Sequence, residues 1–237
     1  MNHFSTKNEY TPSILLVDNN TELTYGLTNN LEVEGYKVSS ASDGREGLNE
    51  ALKNEHDLII LDLVLPSYDG YYILSKVRGE DINIPVLVIS DKSEELDKVR
   101  SFKLGADDFL SKPFGTMEFL VRIEAILRRS YNHNSTPADY WEFDDIQVNP
   151  SSRKVLKCGK SLQMTPLEFD LLVALLQQNG KVMPRQDLLS EVWGHSNYIH
   201  SRTVDTHIAE LRNKIENIPS RPQYIKTVPK VGYRMEV

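Results

Sequence analysis

The segment Asp57-Leu58-Ile59-Ile60-Leu61-Asp62-Leu63-Val64-Leu65-Pro66 limits the possible folds more than any other part of the chain. Its centre, Leu58 to Leu61, is apolar without interruption and stops at a carboxylate. So short an unbroken apolar run reads as a strand buried on both faces, the pattern of a parallel sheet covered by helices. Asp62 then stands where the strand leaves the sheet. That carboxyl edge is where open α/β sheets bind their ligands. Pro66 and the later Asp69-Gly70 turn the chain away.

Similar runs recur on either side. Ile14-Leu15-Leu16-Val17 ends at Asp18, Pro85-Val86-Leu87-Val88-Ile89 at Ser90, and Phe109-Leu110 at Ser111-Lys112-Pro113. A further strand starts at Tyr36-Lys37-Val38. Helical spacing separates the runs. Leu23, Leu27 and Leu31 share one face after the capping residues Asn19 to Thr21, and Gly35 suits a helix C′ position. Glu46–Glu55 forms a short helix with Leu48, Ala51 and Leu52 inward. Tyr71–Arg78, Ser93–Leu104 (closed by Gly105) and Thr116–Arg129 complete the set. Alternating strands and helices predict a doubly wound α/β unit with a five-stranded parallel sheet.

Parallel strands carry all their C-terminal ends to one edge, so Asp18, Asp62, Ser90 and Lys112 should meet there. Two carboxylates hold a hard cation such as Mg²⁺ through oxygen. A hydroxyl and an ammonium nearby suit a phosphoryl group, and a carboxylate can itself accept one as an aspartyl phosphate. Lys112-Pro113 is a candidate cis peptide.

At 237 residues the chain suits one or two domains. Its polar start, Met1 to Pro12, is no signal peptide, and no run reaches the roughly 20 apolar residues of a membrane span. The only cysteine, Cys158, excludes an intrachain disulfide and a cysteine-built zinc site. A cytoplasmic protein fits. The net charge of -7 is unevenly shared: residues 1–139 carry 14 Lys+Arg against 23 Asp+Glu, net −9, and residues 140–237 carry 13 against 11, net +2. The acidic half is a poor nucleic-acid binder, because DNA affinity rests largely on phosphate neutralisation.

Residues 14–129 resemble the receiver domain of two-component response regulators, through Asp18, Asp62 with Pro66 and Asp69-Gly70, Ser90, Gly105-Ala106-Asp107-Asp108-Phe109 and Lys112-Pro113-Phe114. The resemblance implies a flavodoxin-like receiver over residues 13–130. It implies that a sensor histidine kinase phosphorylates Asp62, and that Asp18, Asp62 and the Val64 carbonyl hold Mg²⁺. Ser90, Phe109 and Lys112 respond to the phosphoryl group, Phe109 turning inward on activation. Where the family usually has two adjacent acids after the first strand, this chain has Asp18-Asn19. Asn19 offers an amide oxygen without charge, which should weaken Mg²⁺. Asp91, after Ser90, takes a position that is usually small. Lys98, Asp108, Glu118 and Arg122 correspond to intersubunit ion pairs, Lys98 with Glu118 and Asp108 with Arg122, across a two-fold homodimer.

Residues 131–139 read as a polar linker, and Ser130 shares that character. From Tyr140 onward, short strand-like pieces give a small antiparallel sheet. Thr165-Pro166-Leu167-Glu168 is a capping box. It opens a helix with Phe169, Leu172, Leu175 and Leu176 inward. Pro184–Trp193 is a shorter helix, and a third runs from Ser201 to Ile215 with Val204, Ile208, Leu211 and Ile215 on its packed face. Two strands joined at Pro229-Lys230-Val231 close the unit. Three helices and a hairpin describe an α+β winged helix-turn-helix over residues 140–237.

Met164 to Phe169, Val192-Trp193-Gly194, Arg202 to Ile208, Leu211-Arg212 and Val231 to Arg234 resemble the OmpR/PhoB class of DNA-binding domains. The resemblance makes Ser201–Ile215 the recognition helix. Arg202, Thr206, Arg212, Asn213, Lys230 and Arg234 become the DNA-binding candidates. Relatives often carry basic residues at the positions of Ala209 and Glu210, leaving Thr206 and Asn213 for base edges. His207 and the two tryptophans, Trp141 and Trp193, read as structural. The whole chain is expected to be a transcription regulator rather than an enzyme, with double-stranded DNA, a sensor kinase and RNA polymerase as partners. One alternative, prompted by Asn19, is a regulator that works without phosphorylation. Another, an aspartyl-phosphate hydrolase, suffers because the position two residues after Asp62 is Val64 where such enzymes place a second Asp.

Overall fold

The computed structural model describes residues 10–92, 94–131, 140–193 and 201–237. The first unit alternates β1 (Ser13–Val17), α1 (Thr21–Val33), β2 (Lys37–Ala41), α2 (Gly44–Leu52), β3 (Leu58–Asp62), α3 (Gly70–Gly79), β4 (Val86–Ser90), α4 (Glu95–Lys103), β5 (Asp108–Ser111) and α5 (Thr116–Tyr131). Its sheet has five parallel strands in the order β2-β1-β3-β4-β5.

Side chains alternate across this sheet because successive Cβ atoms point to opposite faces. Leu15, Val17, Ile59, Leu61, Val86, Val88 and Phe109 pack with residues of α2, α3 and α4. Ile14, Leu16, Leu58, Ile60, Leu87, Ile89 and Leu110 pack with α1 and α5. Both faces are therefore covered, as the unbroken apolar runs predict.

The helices begin where short polar side chains take first-turn amides. Asn20 Oδ1 accepts from Leu23 N at 3.0 Å, Asp43 Oδ1 from Arg45 N at 2.8 Å, and Asp69 Oδ1 from Tyr72 N at 2.7 Å. Gly35 and Gly105 follow their helices with φ of 90° and 97°. Gly70 is required by space. A Cβ there would lie 2.3 Å from the Asp62 carbonyl oxygen, so this glycine lets α3 start directly beneath the end of β3.

The second unit opens with an antiparallel sheet of β6 (Trp141–Phe143), β7 (Ile146–Asn149), β8 (Lys154–Lys157) and β9 (Lys160–Ser161). It continues with α6 (Pro166–Gln177), β10 (Met183–Pro184), α7 (Arg185–Leu188), a π-helical turn (Leu189–Trp193), α8 (Ser201–Ile215), β11 (Ile225–Val228) and β12 (Gly232–Met235). The capping box at α6 is formed, with both Thr165 and Glu168 engaged. Val204, Ile208, Leu211 and Ile215 are fully buried against α6 and the π-turn.

Four expectations need correction. Leu52 is 40 % exposed rather than inward, because α2 ends there and the sheet is already covered by Leu48 and Ala51. Ser130 and Tyr131 belong to α5, whose hydrogen bonding continues past the last apolar position and shortens the expected linker. The rest of that linker, residues 132–139, lies outside the described residues. Pro184 does not open a helix: with Met183 it pairs β12, making the wing three-stranded. The expected helix after it is split into one α-turn and one π-turn.

Candidate functional site

Asp18, Asp62, Ser90 and Lys112 meet at the carboxyl edge of the parallel sheet. Lys112 Nζ donates to Asp18 Oδ2 at 2.7 Å and to Asp62 Oδ2 at 2.6 Å. The other carboxylate oxygens are held by backbone: Asn20 N donates to Asp18 Oδ1 at 2.8 Å, and Val64 N to Asp62 Oδ1 at 3.0 Å. Asp18 and Asp62 are buried, as is Ser90, whose hydroxyl oxygen accepts from Lys92 N at 3.1 Å. Burial pulls the Lys112 pKa down, but its bonds to Asp18 and Asp62 outweigh that and leave it raised. Two carboxylates aimed at one ammonium form a charge-assisted cluster with a net negative charge.

Asp62 and Lys112 of this cluster line an open cleft of about 430 Å³, together with Asn19, Asn20, Leu23, Val64, Asp91, Pro113 and Phe114. Asn19 and Asp91 are both exposed at this cleft. The Lys112-Pro113 bond is cis. The oxygens of Asp18 and Asp62 that converge on Lys112 fit a hard cation. Asp18 and Asp62 converge on that point, and Asp91 is a further acid on the cleft lining. Phe109 is buried at 7 % exposure, with the Lys98 ammonium 5.8 Å from its ring centre.

The four charged positions expected between subunits are engaged within one chain. Arg122 Nη1 donates to Asp108 Oδ2 at 2.7 Å, and Nη2 to Glu118 Oε1 at 2.7 Å. Burial opposes the charge on Arg122, but Asp108 and Glu118 hold its pKa above the ordinary value. Glu118 therefore pairs with Arg122 of its own chain, while Lys98 lies over Phe109.

Helix α8, expected to read DNA, presents an uneven set of groups. Ala209 and Asn213 are exposed, and Thr206 and Glu210 are half-buried. Asn213 Nδ2 donates to Glu210 Oε2 at 3.3 Å. Arg212 turns toward the wing. Its Nε and Nη2 donate to the Ile225 carbonyl at 3.1 and 2.6 Å, and Nη2 also donates to Thr227 Oγ1 at 2.9 Å. Arg234 pairs with Glu236, and Lys230 is exposed at the tip of the wing with φ 63°. The Arg202 side chain lies outside the described residues.

Most other cations of this unit are also tied internally. Arg153 bonds Asp170, Lys157 the Ile215 carbonyl, Arg185 Asp205, Lys214 Glu168, and Lys226 the Pro222 carbonyl.

Sequence reasoning missed a contact between the two units. Asp107 Oδ1 accepts from Leu167 N at 3.2 Å, and the Phe102 ring lies 4.7 Å from that of His207. No local pattern marks either pair, because each joins residues far apart in the chain. His207 is structural, as expected, but it packs between Trp193 of its own unit and Phe102 of the other.

Residues 14–124 match the family described as response regulator receiver domain, and residues 159–235 that described as transcriptional regulatory protein, C terminal. The alkaline phosphatase synthesis transcriptional regulatory protein PhoP of Bacillus subtilis is 39% identical over 232 residues, covering 94% of this chain and 96% of that one. The DNA-binding dual master transcriptional regulator RpaA of Synechocystis is 37% identical, with 95% of each chain covered. Among solved structures, a mutant of RitR aligns over 95% of this chain and 99% of its own with a TM-score of 0.80 at 26% identity. The response regulator DrrB of Thermotoga maritima covers as much at 28% identity but reaches a TM-score of only 0.52.

Proposed function

This chain belongs to the OmpR/PhoB class of two-component, DNA-binding transcriptional response regulators, and on that footing we propose that Asp62 is its phosphoacceptor. The observation that carries the reading is the convergence of Asp18 and Asp62 on Lys112 at the open edge of the sheet. A carboxylate oxygen of Asp62 attacks the phosphorus of a kinase phosphohistidine. The P–N bond breaks, and the departing imidazole keeps the electron pair and takes up a proton. Lys112 stays beside the new phosphoryl oxygens as their counter-charge, and the Ser90 hydroxyl donates to one of them. The chain thereby acts as receiver and transcription regulator.

Mg²⁺ would be held by Asp18, Asp62 and the Val64 carbonyl, with the Asn19 amide as a neutral fourth donor. The ion supplies positive charge against which the phosphoryl group can approach two carboxylates. Phosphorylation shifts the receiver toward a form that dimerises through the surface of α4, β5 and α5. Dimerisation sets two DNA modules on adjacent half-sites and raises affinity through effective concentration. In that form Asp108, Glu118, Arg122 and Lys98 exchange partners across the two-fold axis. Thr206 and Asn213 face the major groove, Lys230 and Arg234 flank it, and RNA polymerase is the partner that reads the result. A cytoplasmic location follows from DNA as the target. No helix among the described residues is long and apolar enough to cross a membrane.

Intact mass after incubation with acetyl phosphate across a Mg²⁺ series tests the reading. One phosphoryl group should add and be absent from Asp62→Ala. Asn19→Asp should lower the Mg²⁺ midpoint about tenfold, equivalent to ~1.4 kcal/mol. The exposed, uncharged Asn19 at the cleft favours a second reading, control without phosphorylation. Failure of any Mg²⁺ level to support phosphorylation, with DNA binding intact, would establish it.

A further inference from the structure

The side of α8 opposite its buried face carries little positive charge. Val204, Ile208, Leu211 and Ile215 turn to the core, so helical geometry sets Thr206, Ala209 and Asn213 on one outer stripe. Ala209 and Asn213 are exposed in the full chain, and Thr206 is half-buried. A rise of about 1.5 Å per residue puts Asn213 about 6 Å beyond Ala209, close to two base-pair steps of a duplex. Arg202 begins the same face, and its side chain lies outside the described residues.

The cations beside this stripe are turned elsewhere. Arg212, one residue before Asn213, bonds the Ile225 carbonyl and Thr227 Oγ1, and its guanidinium lies 5.6 Å from the centre of the Tyr233 ring. Lys214, one residue after, reaches Glu168. The neighbour that Asn213 does engage is an acid, since Glu210 Oε2 accepts from Asn213 Nδ2 at 3.3 Å. The Asn213 amide keeps a second N–H and a carbonyl oxygen to offer. From Thr206 to Asn213 the described outer face thus presents a threonine, a methyl group, a carboxylate and an amide, and no cation.

Each base pair shows its own pattern in the major groove. Guanine shows two acceptors, O6 and N7, which Arg or Lys meets best. No such donor stands on the described stripe, and the Glu210 carboxylate would set acceptor against acceptor. Adenine shows an N7 acceptor beside an N6 donor, which an asparagine amide matches with both its ends, and thymine shows a methyl group that packs on alanine.

We propose that Ala209 and Asn213 make this chain a reader of A·T pairs. Ala209 packs on a thymine methyl group, and Asn213 pairs with the N6 and N7 edge of an adenine about two steps away. Glu210, held to Asn213, disfavours guanine at that second position. Discrimination is then carried by apolar and neutral contacts. The proposal rests on α8 entering the major groove, as argued above.

Selection from a pool of random duplexes by the full chain, treated with acetyl phosphate and Mg²⁺, gives the preferred half-site. Fluorescence anisotropy on that duplex then tests each contact. The half-site should hold a thymine and an adenine about two steps apart. Uracil in place of that thymine removes only the methyl group, and should weaken wild type about fivefold but Ala209→Gly less than twofold. 7-Deazaadenine removes the N7 acceptor, and should weaken wild type about tenfold but Asn213→Ala less than twofold. Glu210→Gln should reduce the penalty for guanine at the second position at least threefold. G·C pairs at both positions, or wild-type affinity unmoved by uracil and by 7-deazaadenine, would overturn the base assignment. If the selected sequence still changes in Asn213→Ala, that failure spares α8 as the reader. A selected sequence unchanged in both Ala209→Glu and Asn213→Ala, or no enriched sequence at all, would overturn the placement of α8 in the groove and this proposal with it.

Discussion

Lys112 donates to the Asp62 carboxylate at 2.6 Å across 50 positions of sequence, and the same ammonium takes Asp18 at 2.7 Å. Without it, two buried carboxylates would face one another. Lys112→Met should destabilise the receiver by about 3 kcal/mol in the absence of Mg²⁺, the scale for removing one partner of a buried ion pair. Added Mg²⁺ should restore part of the loss by occupying the same point. Urea unfolding with and without the ion measures both.

Gly70 lies directly under the end of β3, and a Cβ there would sit 2.3 Å from the Asp62 carbonyl oxygen and 2.8 Å from Leu63 Cα. Both neighbours are backbone and cannot swing aside. Gly70→Ala should cost roughly 1–3 kcal/mol as an overpacked substitution. It should also slow phosphoryl incorporation, because relief of the clash moves the end of β3. A thermal melt and intact-mass time course separate the two effects.

Arg212 binds the wing instead of facing outward, through the Ile225 carbonyl and Thr227 Oγ1. Burial lowers its pKa, opposed by the nearby Tyr233, Glu216 and Asp205. Arg212→Ala should weaken the output unit by about 2 kcal/mol, the range for hydrogen bonds to a charged donor. Lysine should rescue little, since one ammonium cannot reproduce the fork. The thermal transition of the output unit in the full chain reports this.

His56 is half-buried, its Nδ1 has no hydrogen-bond partner among the described residues, and burial lowers its pKa. A depressed histidine favours the neutral form in the folded chain. Its contribution is present above the unfolded pKa of about 6.5 and is lost as pH falls through the lower folded value. Receiver stability should therefore fall as pH drops below that of free histidine. His56→Gln should flatten this part of the curve, measured by urea midpoints at a series of pH values.

The architecture was legible because its signals are local. Apolar runs ending at Asp18, Asp62, Ser90 and Lys112 specify strand type and one shared edge, so the cleft could be assembled on paper. The capping box at Thr165 and the spacing of Val204, Ile208, Leu211 and Ile215 did the same for the output helices. What stayed hidden depends on space between distant segments. Leu52 has the right spacing for a core position, yet α2 ends before anything covers it. Pro184 reads as a helix start, but pairing with Gly232 decides its conformation. The ion-paired cluster of Asp108, Glu118 and Arg122 within the chain depends on how α5 lies against β5, which their spacing alone does not show.

The internal ties of Arg153, Lys157, Arg185, Arg212, Lys214 and Lys226 shape how this protein would search a chromosome. Each phosphate neutralised contributes about −0.9 to the slope of log affinity against log salt on duplex DNA. Cations already bonded at home add to that slope only after breaking a bond, so the module lets go of arbitrary sequence more quickly than its count of basic residues implies. Little of the protein is then trapped on the genome's vast excess of wrong sites. The free pool is larger for it, and occupancy of a true operator depends more on the fit of that sequence than on how much DNA the cell contains.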